Sequence, residues 1–326
     1  MSKRLRVLFL PHPVFGEPWR RDIVKAVGER HELKIYDSDQ PLLPQFEGID
    51  VVVDFGGSMG TRPMADVAAA GSVRLWQILG TGFDHFDLAY WKEKRIPVAN
   101  CPGVFTGIPL AECAMMFILL LARHWYEAQD NLRQRTMYQP LGHELENQRL
   151  GLIGFGASGR ELARRAYGFG MRMSAIDVRD VPPKEREQFG LEFAGKPEDL
   201  DRVISESDYL SLHLHLNKET RYIIDERRLG LMKPTACLIN VARGALVDER
   251  ALYCALAEGR LRGAGLDVFS HEPPEPDEPL LTLPNVFATP HISGVTDGTS
   301  RRRAACAAGN VDRIAAGLEP LYRIDL

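Results

Sequence analysis

Short apolar runs alternate with segments of helical spacing along the chain. In the first hundred residues, apolar runs at 6–10, 33–36, 51–53, 73–78 and 98–99 predict strands, and segments 19–29, 63–70 and 88–94 predict helices. The alternation resumes with predicted strands at 150–153, 171–176, 210–214, 236–240, 265–268 and 286–288, and helices at 160–167, 226–231 and 249–258. Strands that alternate with helices favour a parallel sheet covered on both faces, so we predict an α/β fold.

Two longer helical patterns suggest how the chain divides. Residues 109–121 are largely apolar and begin on Pro109, which is tolerated in the first turn of a helix. Residues 297–316 are too isolated to form a domain, and we expect this helix to pack on the N-terminal half. A chain of 326 residues has the length of about two domains. We predict two doubly wound parallel-sheet domains, a discontinuous one at residues 1–103 and 296–326 and a second at residues 104–295.

Composition and charge narrow the class of partner. Hydrophobic residues make up 45% of the chain, and the formal net charge is −4, so the basic excess of a nucleic-acid-binding protein is missing. The longest apolar stretch, residues 113–122, is about half of the ~20 residues that a membrane span needs. We therefore expect neither nucleic acid nor a membrane as partner. Five scattered cysteines without metal-ligand spacing indicate reduced thiols, a cytoplasmic protein and no metal site.

The most specific motif joins two of the predicted strands. The strand at 150–153 leads into a glycine-rich turn, a helical segment follows, and the next strand ends on Asp177. In such a turn the first glycine permits the bend, the second lets a pyrophosphate approach, and the third lets helix and strand pack closely. The helix N-terminus offers N–H groups to the phosphates. The pattern predicts a Rossmann-type dinucleotide site. The turn consists of Gly154, Phe155, Gly156, Ala157, Ser158 and Gly159.

Asp177 also bears on the choice between NAD and NADP. An acid at the end of the second strand of this motif is placed to bind the ribose hydroxyls of NAD and to repel a 2′-phosphate. Arg179, two residues further on, could instead accept that phosphate, which leaves the strength of the preference open. We expect NADH to be used in preference to NADPH.

Three polar residues, each just beyond a predicted strand, are candidates for catalysis. Arg243 follows the strand at 236–240, Glu272 lies in a proline-rich stretch after 265–268, and His291 follows 286–288. Ligands of open parallel sheets bind at the carboxyl ends of the strands, where these residues are predicted to lie. Taken singly, each has an ordinary alternative as a surface ion-pair partner, a solvated loop acid or a histidine that caps backbone groups.

Several segments together resemble the D-isomer-specific 2-hydroxyacid dehydrogenase family, over about residues 73–317. The matching segments are 80–87, 100–106, 154–159, 232–249, 263–273 and 290–291. The resemblance implies two Rossmann-like domains, of which the discontinuous, flavodoxin-like one binds substrate and the other binds NAD. It also implies an NAD-dependent oxidoreductase that acts on the CH–OH group of a small D-2-hydroxy acid. Residues 102–106 most resemble the glyoxylate and hydroxypyruvate reductases of the family.

The resemblance implies a role for each of the three polar residues. Arg243 would bind the carboxylate of a 2-oxo acid and polarise its ketone. His291 would protonate the developing alkoxide, and Glu272 would orient the histidine ring and favour imidazolium. Further contacts to NAD are implied for Thr106, His213, Val241, Ala242 and Asp267, and contacts to the substrate carboxylate for Ser58 and Gly82.

Other functions stay open on the sequence alone. Some family members act as dinucleotide-sensing corepressors that bind peptides. Related phosphite dehydrogenases carry a lysine near the position of Thr81; this chain lacks that lysine, which counts against phosphite as the substrate. Relatives with phosphorylated substrates tend to carry an arginine at the position of Gly57, just before Ser58, so the resemblance implies a substrate without phosphate. The apolar helix at 109–121 is by itself typical of a core helix, whereas the family resemblance implies a twofold homodimer in which the aromatic-bearing arm after this helix contacts the partner.

Overall fold

The computed structural model describes residues 3–56 and 59–326, and within them it contains twelve strands and twelve α-helices. The strands are β1 Arg6–Leu10, β2 Glu32–Ile35, β3 Val51–Asp54, β4 Leu75–Ile78, β5 Val98–Ala99, β6 Arg149–Ile153, β7 Arg172–Ile176, β8 Leu191–Gly195, β9 Tyr209–Leu212, β10 Cys237–Asn240, β11 Gly263–Leu266 and β12 Val286–Ala288. The helices are α1 Trp19–Gly28, α2 Leu42–Phe46, α3 Arg62–Ala70, α4 Leu88–Glu93, α5 Gly107–Ala122, α6 Trp125–Arg133, α7 Ala157–Tyr167, α8 Pro183–Phe189, α9 Leu200–Glu206, α10 Glu226–Leu229, α11 Glu249–Ala257 and α12 Asp297–Ala315.

One compact unit comprises Met1–Phe105 and Thr296–Leu326. Its sheet has the order β2-β1-β3-β4-β5, with every pair parallel. The central strands are apolar on both faces because helices cover both, and Trp76 and Trp91 are fully buried in this core. Helix α12 packs against α1 in the same unit. Its buried Asn310 donates a 2.6 Å hydrogen bond to Gln77 of β4, which ties the C-terminal helix to this sheet.

The other unit comprises Thr106–Val295. Its seven parallel strands have the order β12-β11-β10-β9-β6-β7-β8, so the strand order reverses between β6 and β9. Helices α5 and α7 cover one face of the sheet, and α9 and α11 lie over the other. Close packing of helix on strand is visible at Gly265 of β11, where an added Cβ would lie 2.5 Å from the Phe117 side chain of α5.

The predicted α/β fold with two parallel sheets is confirmed. Most predicted elements occur within one or two residues of their expected bounds, whereas α2, α6, α8, β8 and α9 were not foreseen. Among residues 3–56 and 59–326, no single helix has the length and apolar character to cross a membrane; α5 and α6 reach that threshold only as a pair, across a 52° bend.

Candidate active site

The candidate residues of the second unit collect at one edge of its sheet. Parallel strands have their carboxyl ends at the same edge, and six neighbours in the sheet, β12-β11-β10-β9-β6-β7, are each followed by residues that the sequence singles out. Ligands of open α/β sheets bind at this edge, where the strand order reverses. In sheet order, the residues are His291, Asp267 and Glu272, Val241, Ala242 and Arg243, His213, the turn at 154–159, and Asp177.

The glycine turn after β6 has the shape that a dinucleotide pyrophosphate requires. Gly154 has a φ of +95°, which favours glycine, and an added Cβ would lie 2.4 Å from the carbonyl oxygen of His213. A Cβ on Gly159 would lie 2.3 Å from the carbonyl oxygen of Gly154, so only glycine lets α7 begin here. Gly156 has nothing within 4 Å of its Cβ position, which leaves its backbone open to a ligand. The turn therefore fits the pyrophosphate of NAD.

His213 fastens this turn to the next strand of the sheet. Its Nδ1 lies 3.0 Å from Ser158 Oγ, and its Nε2 lies 2.9 Å from Ser211 Oγ. Burial among neighbouring atoms lowers the pKa of His213 to about 4, although part of the residue stays accessible to solvent. The imidazole is consequently neutral at physiological pH, with one nitrogen donating and the other accepting. His213 and Ser158 act here as a pair that fixes the start of α7.

Asp177 lies beside the same turn, directly after β7. Its Oδ2 accepts a 2.7 Å hydrogen bond from the Phe155 amide, and its Oδ1 accepts a 2.9 Å bond from the Arg179 amide. These bonds hold the carboxylate at the end of the strand, where the sequence predicts the ribose site. The Arg179 guanidinium donates to both carboxylate oxygens of Glu185, at 2.9 and 2.7 Å.

Glu272 and His291, 19 positions apart in sequence, form a direct hydrogen bond. Glu272 Oε2 lies 2.7 Å from His291 Nδ1, and Oε1 accepts a 3.0 Å bond from the Phe269 amide. Burial raises the pKa of Glu272, but the bonds from His291 and Phe269 and the charge of Arg243 outweigh it, and the net shift is downward. Glu272 is therefore ionised at neutral pH and fixes the orientation of the histidine ring.

Arg243 is brought to this pair by close packing of the backbone. A Cβ on Gly244 would lie only 1.9 Å from the carbonyl carbon of Phe269, so the loop after β10 and the loop that carries Glu272 touch at this glycine. Asn240, the last residue of β10, holds the arginine's own backbone, since its Nδ2 donates to the Arg243 carbonyl oxygen at 2.8 Å. A cation, a carboxylate and an imidazole thus lie together at the edge of the sheet.

The carboxylate of Asp267 holds the loop that carries His291. It accepts hydrogen bonds from Thr289 Oγ1 at 2.6 Å and from the amides of Ile292 and Ser293, each at 2.8 Å. His291 itself has a φ of +54°, which is unfavourable for a residue with a side chain. The three bonds to Asp267 stabilise this conformation. The contact of Asp267 with NAD that the resemblance implies would be an additional role of this residue.

A second support, Glu249, was not foreseen from the sequence. Its Oε1 accepts a 2.7 Å hydrogen bond from the Ser270 amide, two residues before Glu272. Burial, reinforced by the nearby charges of Glu278 and Glu272, raises the pKa of Glu249. In the sequence, Glu249 is only the last residue of a segment that resembles the family and the first residue of a helix, where an acid interacts favourably with the helix dipole; neither position predicts this hydrogen bond.

The remaining candidates lie in different parts of the structure. Thr106 is buried at the N-terminus of α5, and a Cβ on the adjacent Gly107 would lie 3.0 Å from the Ala157 carbonyl, which brings Thr106 close to the glycine turn. Val241 and Ala242 are buried directly after β10. Gly82 lies after β4 in the other unit, and Ser58 lies outside the described residues.

Comparison with known proteins agrees with these features. Residues 115–293 match the family model "D-isomer specific 2-hydroxyacid dehydrogenase, NAD binding domain". The chain is similar to a glyoxylate reductase of Thermococcus litoralis, at 40% identity over 311 residues that cover 91% of each chain. It is 34% identical to a D-3-phosphoglycerate dehydrogenase of Methanocaldococcus jannaschii over 92% of this chain, which spans 57% of that relative.

A solved structure adds a likeness in three dimensions. The D-lactate dehydrogenase of Aquifex aeolicus, complexed with NAD and lactic acid, superposes with a TM-score of 0.78 at 30% identity, and the match covers 95% of this chain and 96% of that one. The chain belongs to the D-isomer specific 2-hydroxyacid dehydrogenase family. It is an NAD-binding oxidoreductase, as the sequence predicts.

Proposed function

We propose that this protein reduces a small, unphosphorylated 2-oxo acid, with glyoxylate or hydroxypyruvate as the substrate class, to the 2-hydroxy acid, which has the D configuration where the product is chiral. The observation that carries the proposal is the 2.7 Å hydrogen bond between Glu272 and His291, next to Arg243. A carboxylate that orients a histidine beside a cation is suited to protonating an alkoxide formed next to a carboxylate. The similarity to glyoxylate reductases supports the choice of substrate.

In this proposal the protein's residues bind, orient and protonate the substrate. When bound, NADH supplies the hydride that adds to the ketone carbon. Arg243 donates hydrogen bonds to the substrate carboxylate and ketone oxygen, which stabilises the negative charge that develops on that oxygen. His291 then gives up a proton through Nε2, because Nδ1 is held by Glu272. The ketone becomes an alcohol, and in the reverse direction His291 accepts the proton.

The ion pair of Arg62 supports a substrate without phosphate. This basic residue is the first of α3, and its Nε and Nη2 both donate to Asp87 Oδ2, at 2.9 and 2.7 Å. A substrate phosphate would have to compete with that carboxylate for the guanidinium. The sequence also suggests Phe55 as an apolar wall of the substrate pocket, but its side chain is buried in an aromatic cluster with Phe15 and Trp19.

A substrate screen tests the proposal. Oxidation of NADH is followed at 340 nm with glyoxylate, hydroxypyruvate, pyruvate and longer 2-oxo acids, and in reverse with D-glycerate and 3-phosphoglycerate. We expect glyoxylate or hydroxypyruvate to give the highest kcat/KM, and Arg243→Ala to raise KM and lower kcat. Preferential oxidation of 3-phosphoglycerate over D-glycerate would contradict the proposed substrate class.

We also propose that the protein is a homodimer. A surface groove of about 860 Å³ runs along α5 and α6 within the second unit, and its walls are predominantly apolar. Met116, Trp125 and Phe169 are each between 39 and 47% exposed in this groove. A contiguous apolar surface of this kind is suited to a second copy of the chain, related by a twofold axis.

A further inference from the structure

A cluster of three charged side chains borders the predicted ribose site. Arg179 follows β7, two residues after Asp177, while Arg160 lies in α7 and Glu185 in α8. Glu185 Oε1 accepts bonds from Arg179 Nη2 at 2.7 Å and from Arg160 Nη1 at 3.1 Å, and Oε2 accepts from Arg179 Nη1 at 2.9 Å. One carboxylate therefore holds two guanidinium groups.

The geometry of the pair makes it strong. The two parallel bonds between Arg179 and Glu185 form the two-point arrangement that suits guanidinium and carboxylate, and the Glu185 side chain is only 18% exposed. Arg179 Nη2 also donates to the Phe155 carbonyl oxygen at 2.8 Å, which anchors the guanidinium against the glycine turn. The bond from Arg179, opposed by burial, holds the pKa of Glu185 below its ordinary value, so the carboxylate is charged at neutral pH.

Without Glu185, the same two arginines would form an anion site. A 2′-phosphate on the adenosine ribose is recognised in Rossmann folds by an arginine close to the acid at the end of the second strand. Arg179 holds that position, since its Nε lies 4.0 Å from Asp177 Oδ2. Arg160 donates a hydrogen bond to Glu185, the same carboxylate that binds Arg179. A cleft of about 410 Å³ is lined by Arg160, Lys184, Glu185 and Gln188, so Arg160 and Glu185 border open space next to a further basic side chain.

We propose that Glu185 is a specificity-determining residue: by occupying Arg179 and Arg160, it prevents them from accepting a 2′-phosphate and so excludes NADPH. Asp177 repels the phosphate, and Glu185 withholds the cations that would compensate for that repulsion. Arg179, which the sequence leaves as a possible phosphate ligand, is thus paired with the Glu185 carboxylate. The role of Glu185 in catalysis rests on the proposed function, whereas its effect on nucleotide binding does not.

The test compares two nucleotides that differ in the 2′-phosphate. Isothermal titration calorimetry measures the binding of adenosine 2′,5′-bisphosphate and of 5′-AMP to wild-type protein and to Glu185→Gln. In Glu185→Gln the 2′-phosphate should gain a charge-assisted hydrogen bond, so the variant should bind the bisphosphate at least about tenfold more tightly than the wild type does. The affinity for 5′-AMP, which lacks the 2′-phosphate, should change by less than about twofold. The kcat/KM ratio of NADPH to NADH should rise in parallel. Glu187→Gln, an exposed acid in the same helix, controls for the change in net charge.

A second variant separates this role from a structural one. In an Arg179→Gln background, Glu185→Gln should give a clearly smaller gain in affinity for the bisphosphate, because only Arg160 is then left to donate hydrogen bonds to the 2′-phosphate. An unchanged affinity in Glu185→Gln alone, or an equal loss for both nucleotides, would overturn the inference. A wild-type protein that binds nucleotides but reduces no 2-oxo acid would contradict the proposed function and leave this comparison decisive.

Discussion

At the residue scale, His291 is the side chain on which the proposed proton transfer depends. Replacing His291 with Gln keeps a hydrogen-bonding group of similar reach but removes the acid. General acid–base catalysis contributes about 10²–10⁴-fold, so kcat for reduction should fall within that range while KM for the 2-oxo acid changes little. Steady-state kinetics measure both. His271→Gln, at an exposed histidine in the neighbouring loop, is the matched control and should retain its rate; a His291→Gln enzyme with near-normal kcat would reject the assignment.

Glu272 should influence the pH dependence of the same step. Its pKa is held below the ordinary value, so its charge and its bond to His291 are present at neutral pH and are lost as the pH falls through that lowered pKa. Glu272→Gln removes a negative charge beside the ring and makes imidazolium less favourable. The alkaline limb of the pH profile for reduction should therefore move to lower pH.

The profile is measured as kcat/KM for the 2-oxo acid between pH 5 and 9. Glu275→Gln, which removes an equal charge from an exposed position in the same loop, should leave the limb in place. A limb that stays fixed in Glu272→Gln, or one that moves equally in both variants, would mean that the hydrogen bond does not control the protonation of His291.

At the element scale, two glycines of one turn should fail in different ways when each is replaced by alanine. A Cβ on Gly159 would collide with the Gly154 carbonyl oxygen at 2.3 Å, so Gly159→Ala should destabilise the fold by about 1–3 kcal/mol. A Cβ on Gly156 meets nothing within 4 Å, so Gly156→Ala should fold normally but bind NADH about tenfold more weakly, since the methyl group projects where the pyrophosphate approaches.

Urea denaturation and quenching of intrinsic fluorescence by NADH separate the two effects. Gly156→Ala serves as the folding control for Gly159→Ala, and the reverse comparison isolates the effect on binding. Equal loss of stability in both variants, or full NADH affinity in Gly156→Ala, would contradict the roles assigned to the turn.

The elements that the sequence pattern predicts well are those with a strong apolar period. Buried strands such as β1 and β12 have the expected bounds, whereas the edge strand β8 has a single neighbour, β7, and most of its residues are only partly buried. Its pattern therefore lacks the continuous apolar run of a central strand. Helix α8 is seven residues long and mostly polar, and so carries little periodic signal.

In the candidate site, too, some features are predictable from the sequence and others are not. The rule that ligands bind at strand ends makes Arg243, Glu272 and His291 candidates, and the structure brings the three together at one edge of the sheet. The supporting contacts are hydrogen bonds between segments that are not adjacent in the sequence, such as those of Asp267 with residues 289–293 and of Glu185 with Arg160. They depend on rotamers and loop packing, which have no periodicity in the sequence.

At the scale of the whole molecule, the apolar groove along α5 and α6 leads to a prediction about assembly. A charge placed in a buried apolar interface is left without a partner and is strongly unfavourable, so Met116→Glu should dissociate the proposed dimer. Size-exclusion chromatography with light scattering at micromolar concentration should give about twice the 36.5 kDa of one chain for the wild type, and the mass of one chain for the variant. Leu43→Glu, at a residue of the other unit that is 63% exposed, is the matched control and should stay dimeric. A wild-type mass of one chain would refute the dimer, and a dimeric Met116→Glu would mean that the second copy binds elsewhere.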